Sequence, residues 1–267
     1  MLKRIAFFLS LLFISPTFAA SQLVNDTYSP TVKIKQGKSN GSGTVIFSFG
    51  RTYVLTNFHV VSTVSAKDDK TTDVLPFEKI DVITYKYENI DNIEETTFQG
   101  KVVLFNRKMD LALVEVVGAI GLPVARIDFK MRPDIGENVF AVGSGLGHTP
   151  FMTDGLLSRT KPNDGYPYYL STSPIVPGNS GGGLYMKCGD NLSRFCLIGV
   201  PSRVLMIDKG VPIPHMGFSV RLQTVAKFLL DSNYEFIINP WLVNKTARPV
   251  VDAVDEDEPE ADEDDAD

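Results

Sequence analysis

Seven residues constrain this chain more than any other stretch: Pro177-Gly178-Asn179-Ser180-Gly181-Gly182-Gly183. Four glycines and a proline surround one serine, and the apolar run Leu184-Tyr185-Met186 follows. Glycine serves where the backbone must take positive φ or be approached closely by another group. A serine on such a turn can present its hydroxyl outward. Its own N–H and that of Gly178 can then converge on one point, the arrangement that stabilises an oxyanion. Taken alone, the pattern also fits a plain β-turn.

Two distant segments supply possible partners. His59 lies in Thr56-Asn57-Phe58-His59-Val60-Val61, just past the strand-like run Tyr53-Val54-Leu55-Thr56. Asp110 opens Leu111-Ala112-Leu113-Val114-Glu115-Val116-Val117. An acid drawn out of water by an apolar strand needs a hydrogen-bond partner, and the Nδ1–H of His59 would supply one. The order His, Asp, Ser is one in which a catalytic triad occurs. Isolated histidines are mostly structural. His148, in Ser144-Gly145-Leu146-Gly147-His148, is the competing general base but lacks a strand-end setting and a paired acid.

These segments, with Gly136 through Gly147 and Met216-Gly217-Phe218-Ser219-Val220, resemble the trypsin-like, chymotrypsin-fold serine proteases over about residues 40 to 230. Within them the similarity is to the bacterial high-temperature-requirement branch, as its protease domain without a PDZ domain. The resemblance implies an all-β fold of two six-stranded antiparallel β-barrels with a C-terminal α-helix. It implies a serine endopeptidase acting on polypeptides, with His59, Asp110 and Ser180 as the triad and the N–H groups of Gly178 and Ser180 as the oxyanion hole. Ser202, Arg203 and Val204 would pair with an extended substrate, a β-augmentation mode. Pro174, Ile175, Met216 and Phe218 would approach the primary specificity pocket. No acid stands among them, so an apolar, small-to-medium side chain is expected there rather than Lys or Arg. Asn179 is neutral where trypsin-type zymogens carry an Asp that pairs with a freed N-terminus, so activation by cleavage beyond signal removal is not expected. Gly183 replaces the Pro or Ala most frequent in the family and is expected to loosen the following strand. The alternative is a catalytically weak binding or chaperone-like module on the same fold; a complete triad argues against it.

Local patterns subdivide the chain. Apolar strand-like runs occupy Thr44–Phe47, Val82–Tyr85, Thr97-Phe98, Val102–Phe105, Val139–Gly143 and Leu197–Ser202. Ser39-Asn40-Gly41-Ser42-Gly43 reads as a turn or bulge, polar residues 64–80 as a loop, and Gly121-Leu122-Pro123 as a linker. Barrel one is thus expected over about 30–120 and barrel two over about 121–233, within a protease domain of 20–233. Leu222, Val225, Phe228 and Leu229 are spaced for one face of a helix. Residues 234–251 form an extension expected to pack on the body.

The ends are compositionally distinct. Lys3 and Arg4, the apolar run Ile5 to Ile14 and small residues up to Ala19 read as a signal peptide over 1–19, with an uncleaved anchor as the alternative. The run falls short of the about 20 residues that span a bilayer. The body is expected to be secreted or periplasmic, without stable membrane insertion after signal removal. Residues 252–267 carry eleven acids and no base, and are expected to be a disordered acidic tail. Removing those acids turns the net charge from −6 to +5, too little for a nucleic-acid footprint. Cys188 and Cys196 flank the turn Gly189-Asp190-Asn191. In an exported chain they read as a bridge, and otherwise as two buried thiols. Two cysteines and three scattered histidines show no zinc spacing, so neither a metal nor a cofactor is expected.

Overall fold

The computed structural model describes residues 21–68, 71–88, 92–160, 168–207 and 210–239. The signal segment 1–19, the acidic tail 252–267 and the extension beyond residue 239 lie outside the described residues. Eight strands come from the first half: β1 (Thr31–Gln36), β2 (Ser39–Phe49), β3 (Arg51–Thr56), β4 (Ser62–Asp68), β5 (Thr71–Pro76), β6 (Ile80–Tyr87), β7 (Ile93–Asn106) and β8 (Leu111–Val117). Six of them close a barrel in the order β1-β2-β3-β8-β7-β6, while β4 and β5 pair as a separate hairpin. The second half supplies β9 (Asn138–Gly143), β10 (Phe151–Arg159), β11 (Tyr168–Ser171), β12 (Gly183–Cys188), β13 (Arg194–Ile207) and β14 (Val211–Arg221). These close a second barrel in the order β10-β11-β14-β13-β12-β9, and neighbouring strands pair antiparallel.

Strand alternation explains why the apolar runs are continuous rather than alternating. Successive side chains on a strand face opposite ways. On β8, Ala112, Val114 and Val116 fill barrel one, while Leu111 and Leu113 join a second cluster outside it. On β3, Val54 faces inward, and Tyr53 and Leu55 face outward. That outer cluster also takes Val142, Tyr185, Leu197, Val200 and Val220 from barrel two, so it is the seam that joins the barrels. Barrel two has its own interior of Val139, Ala141, Leu157, Tyr169, Leu184 and Ile198.

Helix α1 (Leu222–Leu230) buries Leu222, Val225, Phe228 and Leu229 into the seam. A short turn, α2 (Glu235–Ile238), then carries Phe236 against Phe47 and Tyr53 of barrel one, with ring centroids 5.4 and 5.7 Å apart. Tyr234 meets Tyr53 edge-on at 5.8 Å. The extension therefore returns from barrel two to barrel one and ties the two together.

Three local expectations are corrected. Residues 62–76 are a paired hairpin, where a loop was expected over 64–80. Ser39–Gly43 belongs to β2 rather than to a turn. Gly41 and Gly43 are there because a Cβ would strike Val60 in one case and Val54 in the other. Gly183 does not loosen its strand. Its missing Cβ makes room for the ring of the fully buried Tyr185 two residues on.

Among the described residues, no helix is long and apolar enough to cross a membrane. Cys188 and Cys196 form a disulfide across the β12–β13 hairpin, with Cα atoms 5.8 Å apart. Beside it the chain's first described segment is fastened down. Asp26, buried in a single helical turn (Val24–Tyr28), receives Arg194 Nε at 2.9 Å, Arg194 Nη2 at 2.7 Å and the Phe195 N–H at 3.0 Å. Burial alone would raise the Asp26 carboxyl, but these donors outweigh it and hold it below the ordinary aspartate value.

Candidate active site

The histidine and the aspartate come from one barrel. β3 ends at Thr56, and Asn57, in extended conformation, opens a 3-10 turn over Phe58–Val60. Phe58 is buried and stacks on Phe105 at 5.0 Å, which anchors the turn and leaves the His59 side chain 49% exposed. Asp110 sits between β7 and β8 at φ +52°, a region that costs an L-residue about 1 kcal/mol. The Asn57 amide donates to the Asp110 carbonyl at 2.8 Å and helps hold that conformation.

The Asp110 carboxylate is surrounded by donors. The His59 backbone N–H reaches Oδ1 at 3.1 Å, and His59 Nδ1 lies 3.0 and 2.9 Å from Oδ1 and Oδ2. Ser202 Oγ donates to Oδ2 at 2.6 Å. A carboxylate can only accept, so Nδ1 carries the hydrogen; in the neutral imidazole the lone pair is then on Nε2.

The serine comes from the other barrel, on a turn only glycines can make. Gly178 has φ +97°, and a Cβ there would lie 2.7 Å from the Ser144 carbonyl and 2.9 Å from the Leu146 nitrogen. Gly181 has φ +84°, and a Cβ there would strike the Ser42 carbonyl and the Thr56 hydroxyl. Ser42 of barrel one clasps this turn. Its N–H donates to the Ser180 carbonyl at 2.8 Å, its Oγ donates to the Gly178 carbonyl at 2.6 Å, and the same Oγ accepts the Ser144 N–H at 2.7 Å. The Ser180 hydroxyl donates to the Ser202 carbonyl at 3.2 Å. Ser202 is thus the joint between the two groups, its carbonyl on Ser180 and its hydroxyl on Asp110.

Asn179 is fully buried, and its Oδ1 accepts the Val176 N–H at 3.3 Å. Its amide folds back onto its own turn, in space that the absent side chains of Gly143 and Gly145 leave open.

The structure divides the expected substrate-binding residues. Ser202, Arg203 and Val204 lie along β13 beside Ser180, and the Arg203 guanidinium is drawn onto the Tyr168 ring at 4.7 Å with a hydrogen bond to its hydroxyl at 2.7 Å. Pro174 is tied to β10 through the Thr153 hydroxyl, which donates to its carbonyl at 2.7 Å. Ile175 is buried in barrel two, and its side chain occupies the space a Cβ on Gly217 would need. Met216 and Phe218 flank Gly217 in sequence and so project from the opposite face of β14. Phe218 meets Tyr168 edge-on and packs on the seam. Gly217, rather than its neighbours, therefore faces Ile175.

Sequence reading missed Gly217, the Ser202 hydroxyl and the Ser42 clasp. The Gly41-Ser42-Gly43 spacing was the available signal for the last of these, since small residues in a strand mark a close approach.

Two antiparallel barrels, with a histidine–aspartate pair from one and a glycine-turned serine from the other, define a chymotrypsin-type peptidase architecture. The chain belongs to the Trypsin-like peptidase domain family, whose sequence profile matches residues 41–191, more than half of the chain. It is 31% identical over 180 residues to a probable periplasmic serine endoprotease DegP-like of Pseudomonas putida, covering 66% of this chain and 31% of that protein. It is 31% identical over 220 residues to the putative protease Do-like 14 of Arabidopsis thaliana, covering 78% of this chain and 45% of that protein. The chain thus spans less than half the length of these relatives. A crystal structure of a serine endoprotease from Yersinia pestis shares the fold, with a TM-score of 0.56 and 22% identity over 82% of this chain and 66% of that one.

Proposed function

We propose that this protein is an exported serine endopeptidase in which His59, Asp110 and Ser180 cleave peptide bonds through an acyl-enzyme. The observation that carries the reading is the Asp110 carboxylate, gripped by His59 Nδ1 and the Ser202 hydroxyl, with Ser180 hydrogen-bonded to the same Ser202. In the proposed cycle the Ser180 hydroxyl, which donates to the Ser202 carbonyl in this structure, turns toward His59 Nε2. Ser180 Oγ then attacks the substrate carbonyl carbon as Nε2 takes the hydroxyl proton. The N–H groups of Gly178 and Ser180 hold the oxyanion, a role supported by the positive φ of Gly178. His59 returns the proton to the leaving amine, and water, activated by the same imidazole, releases the acyl group. Asp110 fixes the tautomer and stabilises the imidazolium.

The substrate is a polypeptide, as the family implies, lying extended along Ser202–Val204. Ile175 fills the space over Gly217, which supports a small-to-medium apolar side chain at the cleaved residue, and no acid stands among Pro174, Ile175, Met216 and Phe218 to receive Lys or Arg. Export is supported by the Cys188–Cys196 bridge and by the periplasmic description of the Pseudomonas relatives. The test is cleavage of unfolded casein, together with labelling by a serine-reactive phosphonate. Wild-type protein is expected to cleave and to be labelled, and Ser180→Ala to do neither. Labelling-free wild-type protein that still binds unfolded polypeptide would favour a binding module instead.

A further inference from the structure

Leu146 is an exposed apolar side chain held in an unfavourable backbone conformation beside the nucleophile turn. Its φ is +54°, a region that L-residues avoid and that glycine or asparagine enters more readily. Gly145 and Gly147 stand on either side, so the sequence had glycines to hand and still places a leucine at the strained position. The leucine side chain is not there for the core, since the residue is 67% exposed. Backbone strain kept without a packing return marks a residue retained for a contact outside the fold.

The surroundings say which contact. The turn bearing Ser180 is flanked by two different walls. On one side is β13, where Pro201 accepts the Gly181 N–H at 2.9 Å and Ser202 accepts the Ser180 hydroxyl. On the other is the loop 144–147. There the Leu146 N–H donates to the Pro177 carbonyl at 2.7 Å, and the Ser144 carbonyl lies against Gly178. The loop is also fastened to barrel one. Ser42 Oγ accepts the Ser144 N–H, Lys33 Nζ reaches the Gly147 carbonyl at 3.4 Å, and the Asn40 amide lies against Gly147. Both ends of the loop are thus fixed, and Leu146 is presented from a rigid support.

An extended peptide threading the site meets these walls in order. In the proposed reading the acyl part of the substrate lies along β13, so the residue just after the scissile bond passes the opposite wall. We infer that Leu146 forms the apolar floor of the first subsite on the leaving-group side and selects an apolar residue immediately after the cleaved bond. This rests on the proposed endopeptidase reading and adds to it a second point of sequence selection. A hydrophobic subsite of this size discriminates by roughly ten-fold or more between a large apolar residue and a charged one.

The test is a set of peptides identical except at the residue after the scissile bond, cleaved by wild-type, Leu146→Gly and Leu146→Asp protein. Both variants suit the backbone, because glycine and aspartate tolerate positive φ. Wild-type protein is expected to prefer Leu or Val over Asp and Lys at that position by about ten-fold in kcat/KM. Leu146→Gly should flatten that ratio to within about three-fold, and Leu146→Asp should shift preference toward Lys and Arg. An unchanged profile in both variants would overturn the subsite while leaving the peptidase intact. If wild-type protein cuts no peptide that Ser180→Ala spares, the peptidase reading itself is overturned, and the subsite with it.

Discussion

Ser202 Oγ lies 2.6 Å from Asp110 Oδ2, across 92 residues of sequence and between the two barrels. The serine's carbonyl takes the Ser180 hydroxyl at 3.2 Å, so one residue holds both the proposed acid and the proposed nucleophile. Ser202→Ala should leave the fold intact, since the carboxylate keeps both His59 donors. It should lower kcat by about ten-fold with KM little changed, the effect of removing one charge-assisted hydrogen bond from a positioning group. Steady-state kinetics on a defined peptide, with thermal unfolding as the control, checks this.

Asp26 and Arg194 join the start of the described chain to barrel two at 2.7 and 2.9 Å. Asp26 is buried and Arg194 only partly so, and removing the guanidinium leaves the carboxylate with the Phe195 N–H and the Gln22 amide but without its charged partner. Arg194→Ala should lower the stability, and a double-mutant cycle with Asp26→Ala should show that the two sites are coupled. Denaturant titration of the four proteins measures it.

The same carboxylate makes stability depend on pH. Its folded-state value is held below 3.8, so its contribution is complete above about pH 4 and fades as pH falls through the lower folded value. Asp26→Asn should be less stable at neutral pH and lose less on acidification, which denaturant midpoints between pH 7 and pH 3 will reveal.

Gly183 and Tyr185 share one face of β12, and a Cβ at 183 would overlap the tyrosine ring. Gly183→Ala should cost about 1–3 kcal/mol through overpacking. Adding Tyr185→Val should recover part of that cost relative to Tyr185→Val alone. Failure of the pair to couple would show that the ring moves aside freely.

Phe236 seals barrel one from beyond the end of barrel two. Phe236→Ala removes its packing on Phe47 and Tyr53 and should destabilise by about 3–5 kcal/mol. Calorimetric unfolding checks the value.

Much of this arrangement was legible in the letters. Helix α1 buries the four residues whose spacing marked one face of a helix. The two barrels implied by the family likeness and the Cys188–Cys196 pair were likewise readable. The hairpin at 62–76 was not, because its polar residues lack the apolar alternation that marks a half-buried strand. That Gly217, and not Met216 or Phe218, faces Ile175 was not legible for a related reason: side chains alternate, so a shift of one residue reverses every assignment on a strand.

The sequence by itself determined local matters: where glycine permits a turn, which runs extend and which helix face is apolar. Periodicity and turn preference act over a few residues, and that is the distance over which letters constrain one another. Only the closed barrels decided that Ser202 would couple Ser180 to Asp110, that Asp26 would meet Arg194 across 168 residues, and that Gly217 would yield its space to Ile175. Such contacts are fixed by register and barrel closure, which bring together residues whose separation along the chain carries no information about their distance in space.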